Sequence, residues 1–379
     1  MLFRFETRWI IVIDALNGLT DLGDLRWFPE FLPERVHLII SCLPGAVMEA
    51  LETKGDWSRR EVEPLTSEDR RELLRAYLAR YNKTLPGELE ARIFAHPLAD
   101  NPLFLRTLAE ELRVFGVHEE LAARLDHYLM SATVDDLFEK VLGRVEGDCG
   151  EEAVRSTMEA IWASRAGLAE QEILGIAHLV PATWAPIRHG LDEALLESGG
   201  RLTFAHDYMR IAISDRYLFG NGRLADEGQS EEALAARRSR HARLAEWFEE
   251  NWRTTDESAA EVSGPAEAEG KVAVVIDAAR AAGEIPHQWR EAQDWDRLKA
   301  SLTTREMFEA IYENRTNQEH LSYWLDLERE AGADIERDYE AAWNDWAPDE
   351  AQKETGDLDR KSTRLNSSHV SESRMPSSA

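Results

Sequence analysis

Two short apolar runs near the start of the chain constrain its fold more than any other feature. Trp9-Ile-Ile-Val-Ile13 is rich in β-branched residues and ends in Asp14; Val36-His-Leu-Ile-Ile40 repeats the pattern and ends at Ser41. Such runs read as strands buried on both faces, the habit of a parallel sheet. A polar connection with Gly18, Gly23 and Pro29 joins them. Ligands of open α/β sheets bind beyond the carboxyl ends of the strands. A carboxylate and a hydroxyl at two such tips therefore point to a phosphate and metal site. Read alone, Asp14 equally suits a core strand that ends in a turn.

Bulk properties narrow the function classes. The 379 residues allow two or three domains, and 72 acidic against 44 basic residues leave a formal charge of −28. That sign disfavours nucleic acid or an anionic membrane as the main partner. Only Cys42 and Cys149 are present, at a spacing that suits no zinc site, so a reduced, cytoplasmic setting is expected. No apolar run approaches the roughly 20 residues needed to span a bilayer.

Beyond the strands the periodicity is helical. Thr66-Ser-Glu-Asp69 reads as a capping box for a helix carrying Leu73, Leu74, Tyr77, Leu78 and Tyr81. A second helix is expected from Glu88 to His96, before Pro97. Asn101-Pro102 opens a third, with Leu105, Leu108, Ala109 and Leu112 on one face. From about Ser131, helical faces form around Val154/Met158/Ile161/Trp162, then Ile173/Leu174/Ile176, then Ile187/Leu191/Ala194/Leu195. Gly199-Gly200 breaks the chain before a brief strand, Arg201–Phe204, and a helix from Asp207. Three helices and a strand match a winged-helix arrangement. Its third helix, expected over Trp184–Ser198, carries Asp192, Glu193 and Glu197 beside Arg188 and His189, which argues against DNA contact.

Gly220-Asn-Gly222-Arg-Leu-Ala225 matches a dinucleotide fingerprint in letters only, because it follows a helix rather than a strand. Residues 253–270 read as a polar linker or mobile loop. Val272–Asp277 resembles another acid-tipped strand, but the alanine-rich continuation favours a helix. From Leu244 to Trp346 the chain holds seven of its twelve tryptophans at helical spacings, a pattern expected of inter-helix core. Trp295-Asp-Arg-Leu298 is similar to the opening of a tetratricopeptide repeat, with Lys299 where glycine is usual.

The order of these features resembles the NACHT-type members of the STAND class of P-loop NTPases. Ile13-Asp-Ala-Leu-Asn17 looks like a Walker B strand end, and Leu38-Ile-Ile-Ser41 looks like the sensor-1 strand after it. The resemblance implies ATP/ADP and Mg²⁺ as cofactors, with Asp14 holding the metal. Asn17 stands where a second acid often orients the attacking water, and an amide cannot take its proton. By the same resemblance Ser41 faces the nucleotide, Pro102 packs near the adenine, and His206 of Ala205-His-Asp207 contacts the β-phosphate of ADP. Read without the resemblance, Pro102 is a favoured first helical residue, and His206-Asp207 a polar pair at a helix start.

No Gly-x-x-x-x-Gly-Lys-[Ser/Thr] phosphate loop occurs in the sequence. The chain is therefore read as a truncated fragment. Residues 359–379, DRKSTRLNSSHVSESRMPSSA, look like a translated sequencing adapter and are set aside as artefactual.

The expected fold is mostly α with a small α/β portion. Residues 1–62 would be the C-terminal part of the NTPase core and 63–130 a helical lid. A winged-helix domain would span 131–225, a helix and polar linker 226–271, the start of a helical-repeat array 272–346, and a tail 347–379. The expected function is a switch in which ADP/ATP exchange controls domain opening, nucleotide-dependent homo-oligomerisation and recruitment of protein partners through the repeats. This chain alone would not be nucleotide-competent. The alternative is an α-helical scaffold or adaptor without nucleotide binding, and a winged-helix regulator of DNA is disfavoured by charge.

Overall fold

A computed structural model describes residues 8–16, 25, 28–29, 31–55, 57–116, 118–218, 230–258, 274, 276–314 and 317–346. The chain is mostly helical and divides into two compact units between Met130 and Ser131. Among the described residues no helix is long and apolar enough to cross a membrane.

In the first unit, β1 (Trp9–Ile13) and β2 (Val36–Ile40) pair in parallel, from Trp9 opposite Val36 to Ile13 opposite Ile40. α1 (Ala46–Glu52) follows. Leu16, Leu25, Phe28 and Leu51 form a small core against which Ile13, Leu38 and Ile40 pack. The expected double-sided burial is not seen: Ile10 is 65% and Val12 64% exposed. The reason is the sheet's size, two strands among the described residues, so that of β1 only Ile13 packs against the small core there.

The helical part of this unit holds α2 (Ser67–Ala79), α3 (Gly87–Phe94), a 3₁₀ turn at Pro97–Asp100, α4 (Pro102–Val114) and α5 (Leu121–Leu129). Thr66 and Asp69 close the capping box reciprocally, satisfying two backbone donors at the start of α2. α2 ends before Tyr81, which is exposed, and α3 ends at Phe94, two residues short of His96. Leu105, Leu108, Ala109 and Leu112 are all buried on one face of α4.

The second unit opens with α6 (Val134–Cys149) and α7 (Glu151–Ala163), then the short α8 (Glu170–Ile176) and α9 (Pro181–Gly190). β3 (Leu195–Ser198) and β4 (Arg201–Phe204) form an antiparallel hairpin. The helix expected over Trp184–Ser198 therefore stops at Gly190, and its last four residues are a strand. Gly199 (φ 58°) and Gly200 (φ 77°) supply the left-handed pair that a two-residue hairpin turn demands, and the tight turn forces Leu195–Ser198 to pair with Arg201–Phe204. Ile187, Leu191 and Ala194 are buried all the same, which is why their spacing mimics one helix. α10 (Asp207–Ile213) runs into a π-helical turn, Ser214–Leu218.

The remaining helices are α11 (Glu231–Ser258), α12 (Ala278–Ala292), α13 (Trp295–Leu302), α14 (Arg305–Glu313), α15 (Asn317–Ala331) and α16 (Ile335–Trp346). Neighbours stack in order, α12 on α11, α13 and α14, and α15 on α13 and α14. Ile276 and Asp277 correct the helix expected there: they precede α12, and the Asp277 carboxylate caps it, accepting from the Arg280 N–H at 2.7 Å. Val272, Ala273 and Val275 lie outside the described residues, as does the Gly220–Ala225 stretch. On α15 the buried face is Tyr323, Trp324 and Leu327, whereas Leu321 and Leu325 are exposed.

His320 sits in an aromatic cluster of α14–α16, its ring near those of Phe308, Trp324 and Tyr339. The Trp324 indole N–H donates to His320 Nε2 at 3.0 Å, and Tyr339 Oη lies 2.6 Å from the same nitrogen. Burial pushes the His320 imidazole down to about 4, and burial does the same to His287 on α12. Unfolding returns each to about 6.5, so the unfolded chain takes up protons first as the pH falls. Each group's stabilisation is complete above about pH 6.5 and is lost towards pH 4, by roughly 2–3 kcal/mol. Urea unfolding at pH 7 and pH 4.5 should show this fall, and His320→Leu should make it smaller. An unchanged pH dependence in the variant would rule out His320 as a source.

Candidate functional site

The strand pair places Asp14 and Ser41 side by side. The Ser41 N–H donates to the Ile13 carbonyl at 3.0 Å, and the Leu16 N–H donates back to the Ser41 carbonyl at 2.9 Å, so the parallel ladder runs past the strand ends. The Ser41 hydroxyl donates to Asp14 Oδ1 and accepts from the Ala15 N–H, the latter at 2.7 Å. Ala15 takes a left-handed φ of 51°, uncommon for a residue with a Cβ, which turns the chain sharply after the acid. The Asp14 and Ser41 side chains are both exposed at this edge. Asn17 lies outside the described residues.

An exposed carboxylate oriented by a hydroxyl can give one oxygen ligand to a hard divalent cation, which commonly keeps several waters and takes further oxygens from phosphate. Asp14 fits that role, with Ser41 holding its orientation. Among the described residues no group of three or more His, Cys, Asp and Glu side chains could hold a metal unaided.

Pro102 is the exposed first residue of α4. The Asn101 side chain caps that helix, accepting from the Leu103 and Phe104 N–H groups at 2.9 and 3.2 Å. His206, in the second unit, is exposed and occupies the N-cap position of α10, with extended backbone and no side-chain cap bond; Asp207 sits in the first turn. Of the expected site residues, the structure brings together Asp14 and Ser41.

Sequence reading missed a buried polar network that joins α7 and α8 to α11 and α12. Arg280 donates to both Glu172 oxygens at 2.9 Å, to Glu284 at 2.8 Å and to the Gly167 carbonyl at 2.7 Å. Glu284 also receives the N–H groups of Arg165 and Ala166, and Gln288 donates to it at 2.8 Å and to the Ala163 carbonyl at 2.9 Å. Gln288 Oε1 accepts from His241 Nδ1 at 2.7 Å. Burial opposes the charge on Arg280, but Glu172 and Glu284 outweigh it and hold its pKa above the ordinary value. Burial lowers that of His241, whose Nε2 is buried without a partner among the described residues. Gly167 (φ 74°) belongs to the same junction: a Cβ there would lie 2.6 Å from the Leu202 carbonyl, with Leu168 bridged to Leu202 of β4. One signal for the network was in the sequence: Arg280, Glu284 and Gln288 stand four residues apart on a helix otherwise rich in alanine.

Fold and site together define a mostly helical chain in which a small parallel strand pair bears an acid–hydroxyl tip and the C-terminal helices stack as an array. Its relatives have NACHT-like and repeat character at low identity. A TPR repeat-containing protein of Dictyostelium discoideum is 25% identical over 333 residues, 85% of this chain and 18% of the relative. The human NACHT domain- and WD repeat-containing protein 1 is 24% identical over 280 residues, 64% of this chain and 16% of the relative. The mouse telomerase protein component 1 is 28% identical over 183 residues, 46% of this chain and 7% of the relative. The chain thus spans less than a fifth of the length of these relatives. No family model and no solved structure matches it.

Removing Arg280 would leave two buried carboxylates without their cation. Arg280→Met should destabilise the second unit by about 3–5 kcal/mol, whereas a triple replacement that also makes Glu172 and Glu284 neutral should recover much of the loss. Urea unfolding followed by tryptophan fluorescence reads both. A loss under about 1 kcal/mol in the single variant would mean the network is not formed.

Proposed function

We propose that this chain is part of a NACHT-like signalling switch in which nucleotide exchange at Asp14 controls domain opening and, through the helical array, the recruitment of protein partners. The observation that carries the reading is the Ser41–Asp14 pair at adjacent parallel strand tips. In this reading Asp14 is the Mg²⁺ ligand beside the β- and γ-phosphates, and Ser41 orients it and faces the nucleotide. The exposed apolar side chains of β1 support it, since parallel strands of this composition normally sit between layers of a larger sheet.

The helices α7–α9 with the β3–β4 hairpin are read as a winged helix, and His206 at its edge as the contact to the β-phosphate of ADP in the closed state. Pro102 would pack near the adenine. ATP favours the open arrangement only to the extent that it binds it more tightly than ADP does, and the opened form would self-associate. The sequence holds no Gly-x-x-x-x-Gly-Lys-[Ser/Thr] loop, so this chain alone would bind ATP weakly or not at all.

A second reading is favoured by the stacked α12–α15 and the TPR-named relative: a helical scaffold that binds proteins without nucleotide. One experiment separates the two. Expressed as the full open reading frame of its locus, the protein should bind and slowly turn over Mg²⁺-ATP. Asp14→Asn should lower that turnover roughly 100-fold, about 2.7 kcal/mol, with folding unchanged. Turnover indifferent to Asp14, or a full reading frame with no phosphate loop and no ATP binding, would leave the scaffold.

A further inference from the structure

α11, α12, the start of α13 and the end of α15 enclose a polar cleft of about 330 Å³. Four arginines line it, Arg237 and Arg238 from α11, Arg290 from α12 and Arg329 from α15, with Trp295 at its side. In a chain of net charge −28 this is a local reversal of sign. We propose that the cleft binds a phosphate group, carried by a small phosphate ester or a pyrophosphate, and that it is a ligand site separate from the strand tips.

The carboxylates in the cleft are already engaged: Glu291 by Arg237 at 2.7 Å, Asp326 by Arg290 at 2.6 Å and by Arg329 at 2.8 Å, and Glu330 by Arg329 at 2.8 Å. Each guanidinium has five N–H donors in a planar fork, and these ion pairs use one or two apiece. Arg238 has no ion-pair or hydrogen-bond partner among the described residues, although it is half-buried at the cleft wall. The cleft thus holds one positive charge in excess and many unused N–H groups, facing a volume at the small end of the range for ligand pockets.

A phosphate matches this lining better than a carboxylate. It offers three acceptor oxygens spread over a tetrahedron, able to engage forks from two or three helices at once, and up to two negative charges. The polar lining and the mixed charges would not favour an apolar ligand. Because the guanidiniums come from α11, α12 and α15, an anion there would draw three helices together.

The test is calorimetric titration of the full chain with inorganic phosphate and with pyrophosphate at low and moderate salt, repeated for Arg238→Gln, Arg329→Gln and Asp14→Asn. Arg238 and Arg329 are chosen because neither is part of the buried network. Saturable pyrophosphate binding is expected, weakened about tenfold or more by each arginine variant, weakened by salt and unchanged in Asp14→Asn. Circular dichroism would confirm that the variants fold. Absence of saturable binding to the folded wild-type chain would overturn the proposal. So would binding that both arginine variants retain, or binding lost in Asp14→Asn, which would place the anion at the strand tips. Binding by phosphate and pyrophosphate alike would assign a single-phosphate site; binding by pyrophosphate alone would assign a two-phosphate ligand.

Discussion

The second unit depends on one buried cation. Arg280 lies on the face of α12 that turns inward, and it reaches a loop carbonyl, a carboxylate of α8 and a carboxylate of its own helix at once. Its guanidinium also lies over the Phe248 ring of α11, 4.9 Å from the centroid. A charge taken out of water is tolerable only when every donor finds a partner and the counter-charges are fixed. The geometry of α12 against α8 is therefore tightly specified, more than apolar packing would require. Arg165 extends the tie to α15 by pairing with Glu319. The three-helix-and-hairpin part and the stacked helices are joined by directional bonds within this unit, not by apolar contact alone.

What could be read from the sequence follows a physical line. Helices with local, self-contained signals were legible: Thr66-x-x-Asp69 closes its box within four residues, and Asn101 caps α4 with its own side chain. The pairing of Asp14 with Ser41 was legible as two acid- or hydroxyl-tipped runs, because parallel register carries both tips to one edge. Features that depend on partners far along the chain were not. Burial of β1 was expected from composition, yet composition cannot tell how many strands flank it. The strand Leu195–Ser198 was hidden because its apolar residues continue the spacing of α9 into the same core, and only the glycine pair after it reveals the turn. The Arg280 network links residues more than a hundred positions apart, a separation for which a single sequence has no pattern.

The candidate site is legible to different depths. At the strand tips, chemistry and position agree. Pro102 occupies a position that ordinary helix-start preferences already explain, and His206 stands at the N-cap of α10 without a side-chain cap bond, so neither geometry carries a nucleotide role by itself. Asp14 differs from them: its hydroxyl partner comes from another strand, 27 residues away, and is poised by a backbone N–H from a left-handed residue. That combination of long-range pairing and a left-handed turn is what the proposed role of Asp14 rests on.

The same distinction gives the network a mechanical meaning. Arg280 binds the Gly167 carbonyl; the next residue, Leu168, bridges to Leu202; four residues further along β4 and its exit stands His206. Each step is a hydrogen bond or a few covalent bonds, and none passes through a flexible side chain in solvent. A shift of α12 cannot be absorbed by sliding, because a half-satisfied buried network is worse than either the full one or none. If His206 reads a nucleotide phosphate as proposed, then force from the stacked helices would arrive at it through bonds that hold or break, not through gradual deformation. A switch needs two discrete arrangements for its ligands to choose between. A fully bonded buried cation is one way for a helical unit to keep one of those arrangements sharply defined.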